Sequence, residues 1–408
     1  EWIGSFTPDG KEFYFTISDP AWLDNSIMVT SQVEGVWSTP TVASFSGAPV
    51  DWTALLSPDG QRMFFSSSRP EYYWLTFDVW MSERHGPVWS DPVKLGINFA
   101  GVDYAGNCTE SGTLYFASER DGPIAPFRAL PSVEGYTQLE KLPAIINARK
   151  GEQGPWIAPD ESYLIFASDR QGNRDLYISY RNQEDLWTEP MNLGPQINTQ
   201  YTEWNPTVTH DGKYLFFARS PDSTNENVDL YWVETRAFLP DPNGPIRNLD
   251  SDERFSSIRL AVHHANAGDT LALEPGVYHE SIVLDKDVTL QSVDPHDPYC
   301  VGGTIIQADL DDPVVTLNEN TAACTLAGLT LRGGSLGIAG TATQATLRNC
   351  RIMDNAGHGL ELFAGSEPSL EHCLITANTQ AGIMMHAGQG RRVSYCKPKL
   401  HHCYVMDN

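Results

Sequence analysis

The first 240 residues repeat one pattern of short, alternating hydrophobic strands separated by polar turns. Each copy has a turn rich in Pro, Asp and Gly, followed at once by a run of aromatic and aliphatic residues. The turns are Thr7-Pro8-Asp9-Gly10, Ser57-Pro58-Asp59-Gly60, Thr109-Glu110-Ser111-Gly112, Ala158-Pro159-Asp160-Glu161 and Thr209-His210-Asp211-Gly212. Because Pro fixes φ and Asp or Gly closes a tight turn, a hairpin is predicted in every copy.

The copies recur about every 50 residues, and most contain signals for four short strands. The fourth strand carries a Trp-x-x-Pro pattern that begins at Trp37, Trp89 and Trp187, whereas the third copy has only Tyr136 to Leu139 in that place. A period of this length built from strands and turns predicts a β-propeller, with one four-stranded blade per copy. We therefore expect an all-β fold with a propeller over residues 1–240.

The fifth copy lacks a Trp-x-x-Pro strand after Tyr231-Trp232-Val233, and residue 1 begins directly at an innermost strand. Propellers commonly complete their last blade with a strand from the start of the chain. We therefore expect residues before Glu1 that supply either a closing strand or a whole sixth blade. Five blades are visible, and a six-bladed ring with one blade outside this chain is the alternative.

These blade positions resemble the TolB-type, WD-like propeller repeat over roughly residues 1–240. Kelch repeats share the period, but their Gly-Gly doublet is missing from these blades. The resemblance implies a periplasmic or extracellular recognition platform, and that family supplies no common catalytic residue.

An acidic residue precedes the second turn position by seven residues in every copy. These residues are Glu1, Asp51, Asp103, Glu152 and Glu203. They open the innermost strands, so their carboxylates are predicted to ring one mouth of the central channel, where converging carboxylates would favour calcium. The alternative is that each acid holds a neighbouring blade, through the Arg of Ser68-Arg69, Glu119-Arg120 and Asp169-Arg170.

The pattern changes after a breaker-rich linker, which we place at residues 241–250. An amphipathic helix is predicted from Phe255 to Ala267, with Asp250 to Glu253 supplying its cap and first-turn acids. The run from Ser257 through Gly268-Asp269 and Pro275-Gly276 to Glu280 resembles the N-terminal cap of right-handed parallel β-helices of the pectate-lyase-like superfamily. The resemblance implies that residues 251–408 form such a β-helix, which stops in the middle of a rung.

Four later segments superpose as rungs of this β-helix. They begin at Leu326, Leu347, Leu370 and Leu400, and Gly334, Asn355, Asn378 and Asn408 end them. Alternation places Leu329, Cys350, Cys373 and Cys403 inward, one above another, where thiols fill a narrow core. The chain has seven Cys, an odd number, and no CxxC pair that would indicate a structural zinc site.

The outward side chains of the same strands form a candidate binding face. They are Asn349, Arg351, His372, His402 and Tyr404. In enzymes of the superfamily this face binds sugar chains, and the nearby Arg391, Arg392, Lys397 and Lys399 favour a polyanion such as a polyuronate. An ordinary solvated strand face is the alternative.

Two other motifs are weaker. Gly357-His358-Gly359 looks like the Gly-His-Gly of polygalacturonases, but the paired Asp residues and the Arg-x-Lys signature of those enzymes are missing. A turn that needs small residues explains it better. Asp309, Asp311 and Asp312 fit a solvated loop rather than a metal site.

The composition of the chain argues against some classes of binding partner. The chain has 27 Lys+Arg and 52 Asp+Glu, a formal net charge of -25, which argues against nucleic acid and anionic membranes. No stretch approaches the roughly 20 apolar residues of a membrane helix. Glu at position 1 indicates a processed or excised piece, and the resemblances imply a secreted, cell-surface or periplasmic location.

Three functions remain open from the sequence. The first is a non-catalytic recognition protein that binds polysaccharide or an extracellular protein. The second is a polysaccharide lyase or glycoside hydrolase acting on an acidic polysaccharide along the β-helix face. The third is a purely structural surface protein.

Overall fold

The structure is a computed structural model, and it describes residues 2–18, 25–47, 50–69, 76–133, 135–148, 151–181, 186–221, 228–318, 323–363, 365–387 and 395–408. The fold is all-β apart from short helices, as the sequence predicts. Two compact units are present, Glu1–Thr235 and Arg236–Asn408.

The first unit is a five-bladed β-propeller. Blade one contains β1 (Trp2–Phe6), β2 (Glu12–Ser18), β3 (Asn25–Val33), β4 (Val36–Trp37) and β5 (Thr41–Val42). Blade two contains β6 (Asp51–Leu56), β7 (Arg62–Ser67), β8 (Asp78–His85), β9 (Val88–Trp89) and β10 (Val93–Lys94). Blade three contains β11 (Asp103–Cys108), β12 (Leu114–Ser118), β13 (Ala125–Ser132) and β14 (Gly135–Lys141). Blade four contains β15 (Gln153–Ile157), β16 (Tyr163–Ser168), β17 (Asp175–Tyr180) and β18 (Met191–Asn192). Blade five contains β19 (Thr202–Val208), β20 (Tyr214–Ser220) and β21 (Asp229–Glu234), and a 3-10 helix, Thr235–Ala237, follows.

Neighbouring strands of each blade pair antiparallel, and the predicted turns join the first strand to the second. In blade one, the amide of Gly10 donates to the carbonyl of Thr7 at 2.8 Å, and the Thr7 hydroxyl donates to Asp9 at 2.7 Å. In blades one and two, the residues before and after the Pro of the Trp-x-x-Pro segment both pair with the third strand. Pro has no N–H to give to the ladder, so it separates the two pieces.

The five blades close into a ring because β1 packs beside β19. The rings of Phe6 in blade one and Phe216 in blade five lie 5.5 Å apart. A sixth blade between blades five and one would separate strands that are in contact, so the six-bladed alternative is wrong. In the described chain, blade five has three strands, and β21 lies at the edge of its sheet.

The second unit is a parallel β-helix behind a short cap. The cap contains β22 (Ile246–Asn248), β23 (Arg254–Phe255) and α1 (Ile258–His264). The first coil contains β24 (Thr270–Leu273), β25 (Gly276–His279) and β26 (Ile282–Leu284). The second contains β27 (Thr289–Ser292), α2 (Pro298–Gly303), β28 (Thr304–Gln307) and β29 (Val315–Leu317). The third contains β30 (Thr325–Ala327), β31 (Thr330–Arg332) and β32 (Ile338–Thr341). The fourth contains β33 (Thr346–Arg348), β34 (Arg351–Met353) and β35 (Leu360–Phe363). The fifth contains β36 (Ser369–Glu371), β37 (Leu374–Thr376) and β38 (Ile383–Met385), and β39 (Lys399–His401) and β40 (Tyr404–Met406) follow.

Corresponding strands of successive coils pair in parallel and form three sheets. One Leu per coil points into the core at the same register position and has no solvent exposure: Leu271, Leu290, Leu326, Leu347 and Leu370. The sheet that begins with β24 also extends into the predicted linker, because β22 pairs antiparallel with β24. The linker prediction over 241–250 is therefore wrong for Ile246–Asn248.

The cap helix is shorter than predicted and has a different cap. The Ser257 side chain accepts from the amide of Leu260, and the carboxylate of Glu280 accepts from the amides of Ile258 and Arg259 at 2.8 and 2.9 Å. The first turn contains no acid, so the prediction of a cap from Asp250 to Glu253 is wrong. An acid distant in sequence satisfies the free helical N–H groups instead.

Candidate functional site

The four described acids that open innermost strands are buried ion-pair partners. Asp51, Asp103, Glu152 and Glu203 have no solvent exposure. Each lies beside an arginine of its own blade, and the N–O distances are 2.7, 2.9, 3.6 and 2.8 Å for Arg69, Arg120, Arg170 and Arg219. Glu1 lies outside the described residues.

The same arginines bind the segment that enters the blade. Each donates from Nη2 to one backbone carbonyl in that segment, at 2.7 to 2.9 Å; the acceptors belong to Phe45, Ile97, Ile146 and Ile197. The residue that follows each of these acceptors forms a hydrogen bond with the third strand of the preceding blade. Asn198, for example, accepts from the amide of Leu176 and donates to its carbonyl, both at 2.8 Å. Each acid–arginine pair thus fastens the connection between two blades.

This arrangement does not fit a shared cation site. A guanidinium group already neutralises each of these carboxylates and would repel a metal ion. Across the described ranges, no three His, Cys, Asp or Glu side chains form a group that could hold a metal. The predicted calcium ring is therefore not assembled at these four positions, and the arginine alternative describes them. The arginine lies in the same blade as its acid, and a backbone carbonyl supplies the link to the preceding blade.

The residues that complete this connection were not predicted from the sequence. Three of the entering segments contain Ile-Asn at a fixed distance before the acid, and the first contains Phe45-Ser46. The polar member contacts the third strand in all four segments. The apolar member of this pair precedes each acid by six residues. This recurrence is the sequence signal that indicates the connection between blades.

A small cavity lies where the inner turns of three blades meet. Its volume is about 330 Å³, and it is lined by Pro58, Asp59, Arg62, Thr109, Glu110 and His210. Burial acts to raise the pKa of Asp59, but hydrogen bonds from Ser57 and the Gln61 amide, with the Arg62 charge, outweigh it and hold the pKa below its usual value. The cavity therefore presents an ionised carboxylate beside a guanidinium and an imidazole, which suits a polar group of a partner.

Three of the predicted binding residues lie at a corner of the β-helix. Asn349, His372 and His402 have φ angles of 52°, 55° and 51°, and each occupies the bend between two strands. The prediction that they lie on strands is therefore wrong. The fold uses this conformation at the corner, because Gly328 adopts it one coil before Asn349, and Asn and His are among the residues that accept it most often.

The two histidines of this corner stack on each other. The ring centroids of His372 and His402 are 5.0 Å apart, and the ring planes differ by 5°. Both residues are exposed. One coil earlier, the amide nitrogen of Asn349 lies 3.3 Å from Nδ1 of His296. The corner is thus a column of flat polar groups, and its later coils face solvent.

Arg351 and Tyr404 lie on the adjoining sheet and are separated by Leu374 in register. Arg351 is half-buried, and its guanidinium lies close to Gly302 of α2. Tyr404 is 65% exposed. The structure therefore gathers His372, His402 and Tyr404 at an open surface, whereas Asn349 and Arg351 lie beside the segment that contains α2.

Two of the four predicted cations, Lys397 and Lys399, lie within the described residues. Lys397 lies 3.8 Å from Glu367. Lys399 lies on β39, in a different sheet from Arg351 and Tyr404. Arg391 and Arg392 lie outside the described residues.

The Gly-His-Gly motif has a structural explanation. A Cβ on Gly357 would lie 2.5 Å from the carbonyl oxygen of Ser335, and one on Gly359 would lie 2.6 Å from that of Gly382. Nδ1 of His358 accepts from the amide of Ala381 at 3.1 Å. The glycines therefore permit close packing between coils, and the histidine links two of them.

The cysteines are all free thiols. Cys350 and Cys373 point into the β-helix core, as predicted, and each thiol donates to a carbonyl of the preceding coil. Cys403 is half-buried at the same position in the following coil.

One comparison with known protein families supports the β-helix. A family model described as "Right handed beta helix region" matches residues 305–408. No curated protein matches the chain. In the described part of the chain, no helix has both the length and the apolar character needed to cross a membrane.

Several solved structures are similar to the chain at low identity. A TolB-type protein from Agrobacterium tumefaciens is 14% identical, with a TM-score of 0.39, over 56% of this chain and 75% of that one. TolB from Acinetobacter baumannii is 16% identical, with a TM-score of 0.39, over 58% of this chain and 51% of that one, so this chain spans about half its length. A GH43 endo-arabinanase from Bacillus licheniformis is 12% identical, with a TM-score of 0.37, over 57% of this chain and 96% of that one. The family match and the three parallel sheets identify residues 305–408 as a right-handed β-helix region, in a chain that also contains a five-bladed propeller.

Proposed function

We propose that this chain is part of an extracellular or periplasmic recognition protein that binds a polysaccharide or protein partner without catalysing a reaction. The observation that carries the proposal is the exposed, parallel stack of His372 and His402 at the β-helix corner. The shared left-handed backbone conformation places the two rings at the same position in successive coils.

The chemistry of the corner suits a saccharide. Flat rings present apolar faces to the C–H faces of a sugar, while ring nitrogens and the Tyr404 hydroxyl can bond its hydroxyl groups. Parallel pairing repeats the corner once per coil, at about 4.8 Å. A linear polymer lying along the β-helix axis would therefore meet His372 and His402 in successive coils.

Charge favours an acidic polymer over a neutral one at this end of the chain. Residues from Arg332 onward contain more Lys+Arg than Asp+Glu, although the whole chain carries a net charge of -25. Such a local excess attracts a polyanion despite the overall charge. The cavity at Asp59 and Arg62 offers a second contact for a protein partner.

A glycan array tests the proposal. The chain is compared with His372→Ala/His402→Ala, with and without calcium, and His401→Ala is the control because it alters an adjacent exposed histidine on a strand. We expect binding to an acidic glycan that falls at least about tenfold in the double variant, a loss of roughly 1.4 kcal/mol, and is kept in the control.

Two results would contradict this function. Equal binding by the double variant and the unaltered chain would remove the corner from the site. Unsaturated or reducing-end products from polyuronates would instead support the lyase or hydrolase alternative.

A further inference from the structure

The second coil of the β-helix turns its corner by a longer route than the coils that follow it. In the third coil, only Gly328 and Leu329 join β30 to β31, and the fourth and fifth coils also use two residues there. In the second coil, residues 293–303, which include α2, connect β27 to β28. We call this segment the corner insertion.

The corner insertion covers the corner of the third coil. Gly328 has a φ of 64°, and a Cβ on this residue would overlap Cα of Pro295. The Thr330 hydroxyl donates to the carbonyl of Val301 at 2.7 Å, and Thr330 is only 4% exposed. The space that a side chain such as Asn349 occupies in later coils is therefore filled here by the insertion itself.

Contacts of the corner insertion continue into the fourth coil. Nδ1 of His296 lies 3.3 Å from the amide nitrogen of Asn349. A Cβ on Gly302 would lie 3.0 Å from Nη1 of Arg351. The insertion therefore stands against both polar side chains that the fourth coil presents at this corner.

The same surface is open in the next two coils. His372 and His402 are exposed at the bend. Along the adjoining sheet, Arg351 and Leu374 are half-buried, and Tyr404, in register with them, is 65% exposed. The corner is therefore walled at one end by the insertion and faces solvent towards Tyr404.

Arg351 lies at the walled end with its charge uncompensated. Among the described residues, its side chain has no hydrogen-bond or ion-pair partner. Arg348, in the same coil, instead pairs with Glu371 at 3.0 Å. A half-buried guanidinium without a partner suits a carboxylate of a ligand, because its fork of N–H groups matches the two carboxylate oxygens.

We propose that this corner binds the end of an acidic saccharide chain, and that Arg351 holds a carboxylate of the terminal residue. The proposal rests on the polysaccharide-binding function proposed above. A chain that lies along the corner from Tyr404 past His402 and His372 meets the insertion at the coil of Arg351. Two coil steps, about 10 Å, separate Arg351 from Tyr404, so the site holds a short terminal segment.

The number of protein molecules bound per saccharide chain tests terminal recognition. Two oligogalacturonate fractions, one about ten times longer than the other, are titrated calorimetrically with the full protein at equal concentrations of chain ends. We expect both fractions to bind one protein per chain with equal affinity. A surface that binds chain interiors would instead place more proteins on the longer fraction.

Two variants separate the parts of the site. Arg351→Ala should weaken binding at least about tenfold, because the carboxylate loses its charged partner. Arg348→Ala is the matched control, since it removes an exposed arginine that is already paired within the protein, and it should bind as the unaltered chain does.

Replacing residues 293–303 by Gly-Leu, the corner of the third coil, removes the wall. This variant should bind more than one protein per chain on the longer fraction only, and thermal unfolding checks that it is folded. If the replacement prevents folding, the stoichiometry of the unaltered protein decides.

A stoichiometry that rises with chain length in the unaltered protein would overturn terminal recognition and leave the binding function intact. Equal losses in the two arginine variants would remove Arg351 from the site. Equal binding of poly-L-glutamate of matched length would make an acidic polypeptide the ligand instead. Failure of both oligogalacturonate fractions to bind would overturn this inference, and the glycan array would then show whether the binding function survives.

Discussion

The guanidinium of Arg69 lies 2.7 Å from the carboxylate of Asp51, which is wholly buried in the second blade. Arg69 also donates to the carbonyl of Phe45, in the segment that leaves the first blade. One side chain therefore neutralises a buried charge and joins two blades.

Arg69→Met should strongly destabilise the propeller. The variant leaves the Asp51 carboxylate buried without a partner, so we expect a loss of about 3–5 kcal/mol in the free energy of unfolding. Urea unfolding measures it. Arg128→Ala is the control, because the Arg128–Glu140 pair is more exposed and should cost about 0–1 kcal/mol. Equal losses would show that the buried pair has no special role, and Asp51→Asn/Arg69→Met should recover part of the loss.

Asn378→Ala should destabilise the β-helix by about 2–3 kcal/mol. The Asn378 side chain accepts from Asn355 at 2.9 Å and donates to Asn408 at 2.8 Å, and it also donates to two backbone carbonyls. Its removal leaves several buried groups without partners. Asn408→Ala, at an exposed position in the same column, should cost less. Comparable losses at the two positions, measured by urea unfolding, would contradict a role for burial.

Acid should destabilise the second unit through two histidines of its cap. Burial lowers the pKa of His263 to about 4, and burial with the neighbouring His263 lowers that of His264 to about 3; Lys286 adds to both shifts. The unfolded chain, with a histidine pKa of about 6.5, takes up protons first as the pH falls. This contribution to stability is therefore complete above about pH 6.5 and is lost progressively towards pH 4 and 3.

At pH 5 the loss should be roughly 2 kcal/mol per histidine. Urea unfolding at pH 7 and pH 5 measures it, with hydrogen exchange assigning the transition to the second unit. His263→Gln/His264→Gln should flatten this pH dependence. An unchanged slope in that variant would show that carboxylates elsewhere cause the acid sensitivity.

The seven thiols should differ widely in reactivity. Burial raises the pKa of Cys108 and Cys324 to about 12, so at pH 8 they carry little thiolate. Cys396 is partly exposed. Alkylation followed by mass spectrometry should modify Cys396 about 100-fold faster than Cys324, and urea should abolish the difference. Similar rates in the folded chain would place Cys324 outside the core.

The sequence by itself determined both repeat architectures, because their signals are local. A Thr7–Gly10 turn closes within four residues, and one Asn per coil marks the ladder from Asn355 to Asn378. Inward Leu and Cys positions followed from strand alternation for the same reason. These features need no knowledge of distant chain segments.

The tertiary structure decided which groups meet. The carboxylate that caps α1 is Glu280, and the ring closes at β1 and β19, strands from opposite ends of the propeller sequence. The corner that carries His372 and His402 depends on a bend between two sheets, which an alternation pattern cannot distinguish from a strand. A carboxylate such as Asp51 has the same sequence signature whether it binds a cation or an arginine, and only the approach of Arg69 in space decides between them.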